Sequence, residues 1–164
     1  MIPESLRPSR VYFFGTCLID SFYPEAGLAA IRLIEREGVR VIFPRGQSCC
    51  GQPAYNSGFP EEARTVARRQ IRAFHEEIPI VVPSGSCAGM MKHHYPTLFA
   101  GTAEQTEAER FAARVFEWSE FMVRVLGVRC EDRGSPIRVT WHSSCHALRE
   151  MQVIEYSKQL LRQL

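Results

Sequence analysis

No apolar run in this sequence is long enough to cross a membrane. The longest, at residues 11–15 and 78–83, are strand-sized, far short of the about 18 to 20 residues that a span requires. The opening MIPESLRPSR lacks the apolar core of an export signal, so a cytoplasmic chain is expected. Charge of one sign is not in excess either. Lys and Arg number 20 against 18 Asp and Glu, for a net +2, and the signs alternate along the helical stretches. That balance removes the electrostatic case for binding nucleic acid or a membrane surface. In a reducing compartment the six cysteines are poor candidates for structural disulfides. Metal binding, catalysis or simple burial is left to explain them.

What is present is enough to bury a core. With 164 residues, 45% of them hydrophobic and ten of them phenylalanine, the chain can fold as one domain with part of a second. "RVYFFGTC" reads as a buried strand that ends in a glycine-bearing loop. Residues 24–36 place Leu28, Ile31 and Ile34 at helical spacing, with Pro24 and Glu25 in the first turn and Gly38 as the stop. "VRVIFP" is a second strand. Pro60, Glu61 and Glu62 open a helix that carries Ala63, Val66, Ala67, Ile71 and Phe74 on one face. "IPIVVP" is a third strand, followed by a loop "SGSCAG" and a short helix ended by Pro96. Residues 104–126 read as one helix with Gly127 beyond its end, and "IRVTW" as a fourth strand before "HSSCHALRE" and a last helical stretch. Strands alternating with helices predict an α/β fold with a mostly parallel sheet and helices on both faces.

Ligands of such sheets bind beyond the carboxyl ends of the strands. Cys17, the adjacent Cys49 and Cys50, Cys87 and Cys145 each follow a predicted strand end by a few residues, so the fold is expected to gather them on one edge. Thiolates are soft ligands that suit iron–sulfur clusters and zinc, and adjacent cysteines can address different metal atoms of one centre. Gly51 lets the backbone pass close to such a centre. His142 and His146 flank Cys145 and can ligate metal, move protons or cap a helix. His93 and His94 carry a weaker case, His75 on a surface helix needs no function, and Cys130, away from the strand-end loops, reads as structural. A rival reading starts from "GSCAG", a glycine-framed nucleophile pattern between strand and helix. It makes Cys87 the nucleophile of a hydrolase or amidotransferase, with His142 or His146 as base. A third reading is a non-catalytic zinc-binding docking module.

A weak repeat aligns "VYFFGTC" with "VTWHSSC", Cys17 on Cys145. It suggests a whole first unit, residues 1–127, and the opening of a second, residues 128–164, whose own double cysteine falls beyond the last residue.

The spacing of Cys17, Cys49-Cys50-Gly51 and Cys87, with the strings "FFGTCLID", "QSCCGQPAYNSG", "VPSGSCAGM" and "HSSCHALRE", resembles the cysteine-rich CCG domain family, above all its lactate-utilisation branch. The resemblance covers almost the whole chain. It implies a Rossmann-like fold and an iron–sulfur electron-transfer subunit of a cytoplasmic complex that oxidises L-lactate to pyruvate together with other subunits. It further implies Cys17, Cys49, Cys50 and Cys87 as ligands of a cluster of the [4Fe–4S] type or of zinc, with Cys145 opening the second set. Such a cluster is easily lost in air. The family pattern closes with Cys-x-x-Cys, where this chain has Met90 in the last position. With the second set incomplete, the chain is expected to be inactive alone.

Overall fold

The computed structural model describes residues 7–130 and 137–164. Among these, β1 (Arg10–Phe13), β2 (Arg40–Ile42), β3 (Ile80–Val82) and β4 (Val115–Glu117) form one sheet in the order β2-β1-β3-β4, and every pairing is parallel. The period of two along each strand sorts its side chains between two cores. Val11, Phe13 and Val81 point to one face, where they meet Ile34 of α2 (Pro24–Arg36). Tyr12, Phe14, Ile80 and Val82 point to the other, toward Ala63, Ala67 and Ile71 of α4 (Pro60–Ala73). The mostly parallel α/β sheet read from the sequence, with helices on both faces, is the fold observed.

The strand order explains which face each helix takes. From β1 the chain steps to β2 by way of α1 (Cys17–Phe22) and α2, then returns across β1 to reach β3 by way of α3 (Gln52–Asn56) and α4. Right-handed crossovers in opposite directions put their helices on opposite faces. From β3 the chain continues outward through α5 (Gly85–Gly89), a π-helical turn (Met90–His94), α6 (Tyr95–Leu98) and α7 (Gln105–Ala113) to β4. After β4 come α8 (Trp118–Glu120) and a second π turn (Phe121–Val125), which packs on the α2 side. The chain ends with α9 (Cys145–Arg149) and α10 (Ile154–Leu161).

Three readings of the sequence are corrected. The helix expected over residues 104–126 is interrupted by β4, because Val115 and Phe116 find a more favourable place at the sheet edge, paired with Ile80 and Val81. The Glu117 carboxylate then restarts the helix by accepting from the Ser119 and Glu120 amides at 2.8 and 3.2 Å. "IRVTW", expected as the fourth strand, carries no strand; Ile137 and Val139 are 73% and 70% exposed. Its apolar alternation satisfied the pattern, but a strand also needs a neighbour. Pro96 does not end its helix. The π turn before it widens the ladder where proline has no amide to give, and helical backbone continues to Leu98.

Helix α9 lies so close to α5 that only glycine fits between them. A Cβ on Gly85 would come within 2.6 Å of the Ala147 Cβ and 2.9 Å of its Cα. Gly85→Val is therefore expected to push α9 off its seat and lower stability by about 1–3 kcal/mol, as overpacking generally does. Thermal unfolding checks this, and an unchanged midpoint would show that α9 moves freely.

Candidate metal centre

The sheet reverses its winding between β1 and β3, so the loops that leave these two strands diverge and open a crevice at the carboxyl edge. Cys17 follows β1 by four residues and Cys87 follows β3 by five. Cys49 and Cys50 arrive from β2, on the other side of β1. Three separate loops thus converge on one rim.

The thiols touch in sequence. Cys17 is in hydrogen-bond range of Cys49, and Cys50 of both Cys49 and Cys87. Cys50 and Cys87 are buried, Cys49 is half-buried and Cys17 exposed. Burial pushes the Cys17 thiol up, and the neighbouring Cys49 and Cys50 sulfurs push it further, because adjacent thiolates repel. Cys50 is raised far above the thiol range, first because its S–H donates to Cys87 and then because it is buried. Cys87 is lowered by that same bond from Cys50; burial opposes the shift and a bond from Ser84 assists it. This chemistry fits a metal centre: soft donors stand together, holding protons that a metal would displace. Among the described residues no three His, Cys, Asp or Glu side chains close around a single ion. The four thiols influence one another in pairs across the three loops.

Around the thiols lies a set of polar clamps. The Gln47 amide oxygen accepts from Gly15 N at 2.8 Å while its nitrogen donates to Phe13 O at 3.3 Å, which ties the loop of Cys17 to that of Cys49. Gln70, fully buried in α4, donates to Ser48 Oγ at 2.6 Å and to Cys49 O at 3.2 Å and accepts from Ser48 N at 3.3 Å. Tyr95 Oη donates to Cys50 O at 2.9 Å. Gly51 takes φ 84°, a left-handed turn that favours glycine, and seats against Val66. Thr16 holds φ 31° and caps α1 through its Oγ1, 3.2 Å from Ile19 N. The sequence reading missed Gln47, Gln70 and Tyr95. One signal was available for Gln70: a polar residue among the apolar positions of an amphipathic helix. Gln70→Met leaves two buried groups of the Ser48–Cys49 backbone unpaired and is expected to cost about 1–3 kcal/mol. Urea melts check the loss, and a variant of unchanged stability would mean that water replaces the amide.

Cys145 is exposed at the first residue of α9, which packs on the Cys87-bearing α5, and the strand expected before it is absent. His142 and His75 are exposed, and Cys130 is half-buried with its amide on Gln163 Oε1 at 2.7 Å. His146 faces Gln52 and Glu150, and His94 packs against Tyr55. Desolvation and the neighbouring Lys92 charge lower the pKa of His93. The nucleophile reading of "GSCAG" finds no strained, exposed elbow. Cys87 sits inside α5, 8% exposed, with Cys50 as its partner.

The sequence that carries these cysteines has counterparts. The cysteine-rich domain described as CCG matches residues 11–92, which include β1 to β3 and Cys17, Cys49, Cys50 and Cys87. The chain belongs to the cysteine-rich CCG domain family. Over 155 residues this CCG chain is 47% identical to "Lactate utilization protein A" of Geobacillus kaustophilus (strain HTA426), a match that covers 93% of this chain and 64% of that protein. Over 156 residues it is 42% identical to "Lactate utilization protein A 2" of Bacillus cereus (strain Q1), covering 94% of this chain and again 64% of the relative. The chain thus spans less than two thirds of the length of these curated relatives. No solved structure matches it. Among the described residues no helix is long and apolar enough to cross a membrane.

Proposed function

We propose that Cys17, Cys49, Cys50 and Cys87 hold an iron–sulfur cluster, and that the chain passes electrons within a multi-subunit system that oxidises L-lactate to pyruvate. The observation that carries this reading is the convergence of four cysteines, on the loops that leave β1, β2 and β3, at the switch point of the sheet, where each shifts the titration of its neighbours. A single zinc ion needs its donors about 2.3 Å from one point. Among the described residues no three His, Cys, Asp or Glu side chains close around one point, and cysteines on three loops, two of them adjacent, suit a centre with several metal atoms, each claiming one or two sulfurs. Such a cluster, when bound, supplies electron transfer at a potential set by its hydrogen bonds and exposure.

The chain's own residues divide the work. Cys50 and Cys87 form the buried wall. Cys17 and Cys49 line an open cleft of about 320 Å³ shared with Thr16, Asp20, Arg45 and Ser48, the side from which electrons enter or leave. Gln47, Gln70 and Tyr95 hold the backbone of the cysteine loops, so that bound metal does not have to order them. Met90, where the family has its last cysteine, is fully buried and supplies no thiol. Lactate as the ultimate donor rests on the names of the relatives. In this reading residues 128–164 open a second, incomplete unit, and the remaining subunits complete the reaction.

Purification of the chain without oxygen tests the proposal. The expected result is a brown protein with iron and acid-labile sulfide in comparable amounts, absorbance near about 400 nm and a paramagnetic signal on reduction. Stoichiometric zinc in a colourless protein, or iron that stays bound after all four cysteines are replaced by serine, would overturn it.

A further inference from the structure

The motif "GSCAG" has a use that the nucleophile reading does not supply. Gly85 and Gly89 stand four residues apart, on one side of α5, while Cys87 between them projects from the opposite side toward Cys50. The glycine side receives α9. A Cβ on Gly89 would come within 2.5 Å of Glu150 Oε2, and one on Gly85 would strike Ala147. The helix that carries Cys87 is therefore held between the thiols on one side and α9 on the other.

From that seat α9 reaches the double-cysteine turn. Gln52, two residues beyond Cys50, has its amide nitrogen 3.2 Å from Ser86 O and 3.4 Å from His146 Nε2. The nitrogen of an amide only donates, so one hydrogen goes to the Ser86 carbonyl and the other to His146 Nε2, which must be the unprotonated ring nitrogen. Nδ1 then carries the proton and faces Glu150 Oε2 at 2.9 Å. Both atoms are sealed from water and make no hydrogen bond of good geometry among the described residues, so the 2.9 Å ion-pair contact is what each has in place of water. Glu150 Oε2 is also 3.6 Å from His94 Nε2, and the His94 ring packs against Tyr55, tilted by 40°, at 4.7 Å between centroids. Gln52 and Tyr55 are the first and fourth residues of α3. One carboxylate thus orients two imidazoles, and each imidazole grips one end of the short helix that follows Cys49-Cys50-Gly51.

We infer that His146, oriented by Glu150, is a positioning residue for the thiol site. It fixes Gln52 and thereby holds the Cys50–Gly51 turn against the Cys87-bearing helix. The consequence for metal binding rests on the function proposed above; the clamp itself is a property of the metal-free chain. Alkylation of the full, metal-free chain under anaerobic conditions tests it, with each cysteine followed by mass spectrometry. His146→Ala is expected to speed modification of Cys50 and Cys87 by about five- to tenfold, the effect of losing a partly buried hydrogen bond that closes a local opening. Cys130, remote from the clamp, serves as the internal reference and should not change. His146→Gln, which restores an acceptor toward Gln52, should recover most of the protection. Gln52→Ala should match His146→Ala, and the double variant should add little to either. Unchanged rates at Cys50 and Cys87, an equal rise at Cys130, or additive single effects would each overturn the clamp. Because the readout uses no metal, a chain that proves unable to hold a cluster would sink the proposed function and leave this test intact.

Discussion

Cys50→Ser protein, prepared without oxygen, is expected to lose about nine tenths or more of the iron that the parent chain carries while keeping its fold. Cys50 interacts with both Cys49 and Cys87 and is only 2% exposed. Serine occupies nearly the same volume. Its hydroxyl can take over the bond to Cys87, and the turn stays anchored by Tyr95 on the residue 50 carbonyl at 2.9 Å. What changes is softness: a hydroxyl oxygen is a poor substitute for thiolate toward iron in a sulfide cluster. Even indirect partners of metal ligands typically matter by about ten- to a hundredfold in affinity, so loss of a direct ligand should exceed that range. Iron and sulfide analysis beside far-ultraviolet circular dichroism measures both halves. Cys130→Ser, in a half-buried site away from the rim, should retain full iron. Equal iron in the Cys50→Ser and parent proteins would remove Cys50 from the centre.

The largest effect on stability should come from Phe74→Ala. Phe74 has no exposed surface and meets three rings: Tyr12 edge-on at 5.2 Å, Phe14 at 6.0 Å and Phe111 edge-on at 6.2 Å. It joins β1, α4 and α7 in one core, and its carbonyl accepts from the Arg114 guanidinium at 2.9 Å. Truncation to alanine removes the ring from all three partners and leaves a cavity, which costs about 3–5 kcal/mol. Domains of this size are stable by only about 5–15 kcal/mol, so the variant should approach the threshold of folding. The loss reaches the thiols as well, since Gln70 lies one turn earlier on α4 and holds the Cys49 carbonyl. Denaturant unfolding checks the value. A shift below about 1 kcal/mol would show that neighbouring rings collapse into the space.

Legibility in the sequence followed the range of the interaction. β1, β2, β3, α2 and α4 were readable because each has a local signal: an apolar run closed by glycine or proline, or a stripe with proline and acid in its first turn. Misreadings arose where two patterns competed. Val115 continues the apolar stripe of a helix, yet Val115 and Phe116 are also good strand formers, and the open edge of β3 decided between them. Residues 137–141 alternate as a strand would and have no such edge.

By itself the sequence determined the α/β class and the arrival of Cys17, Cys49, Cys50 and Cys87 near strand ends, because periodicity and turn residues act within a few positions of the chain. Only the tertiary structure decided that Gln47, Gln70, Gln52 and Tyr95 bind the cysteine loops, and that Gly85 and Gly89 face α9. Glutamine, tyrosine and glycine have no fixed partner in sequence. Their roles depend on which carbonyl or helix the fold brings within about 3 Å, and hydrogen bonds and close packing act only at that distance.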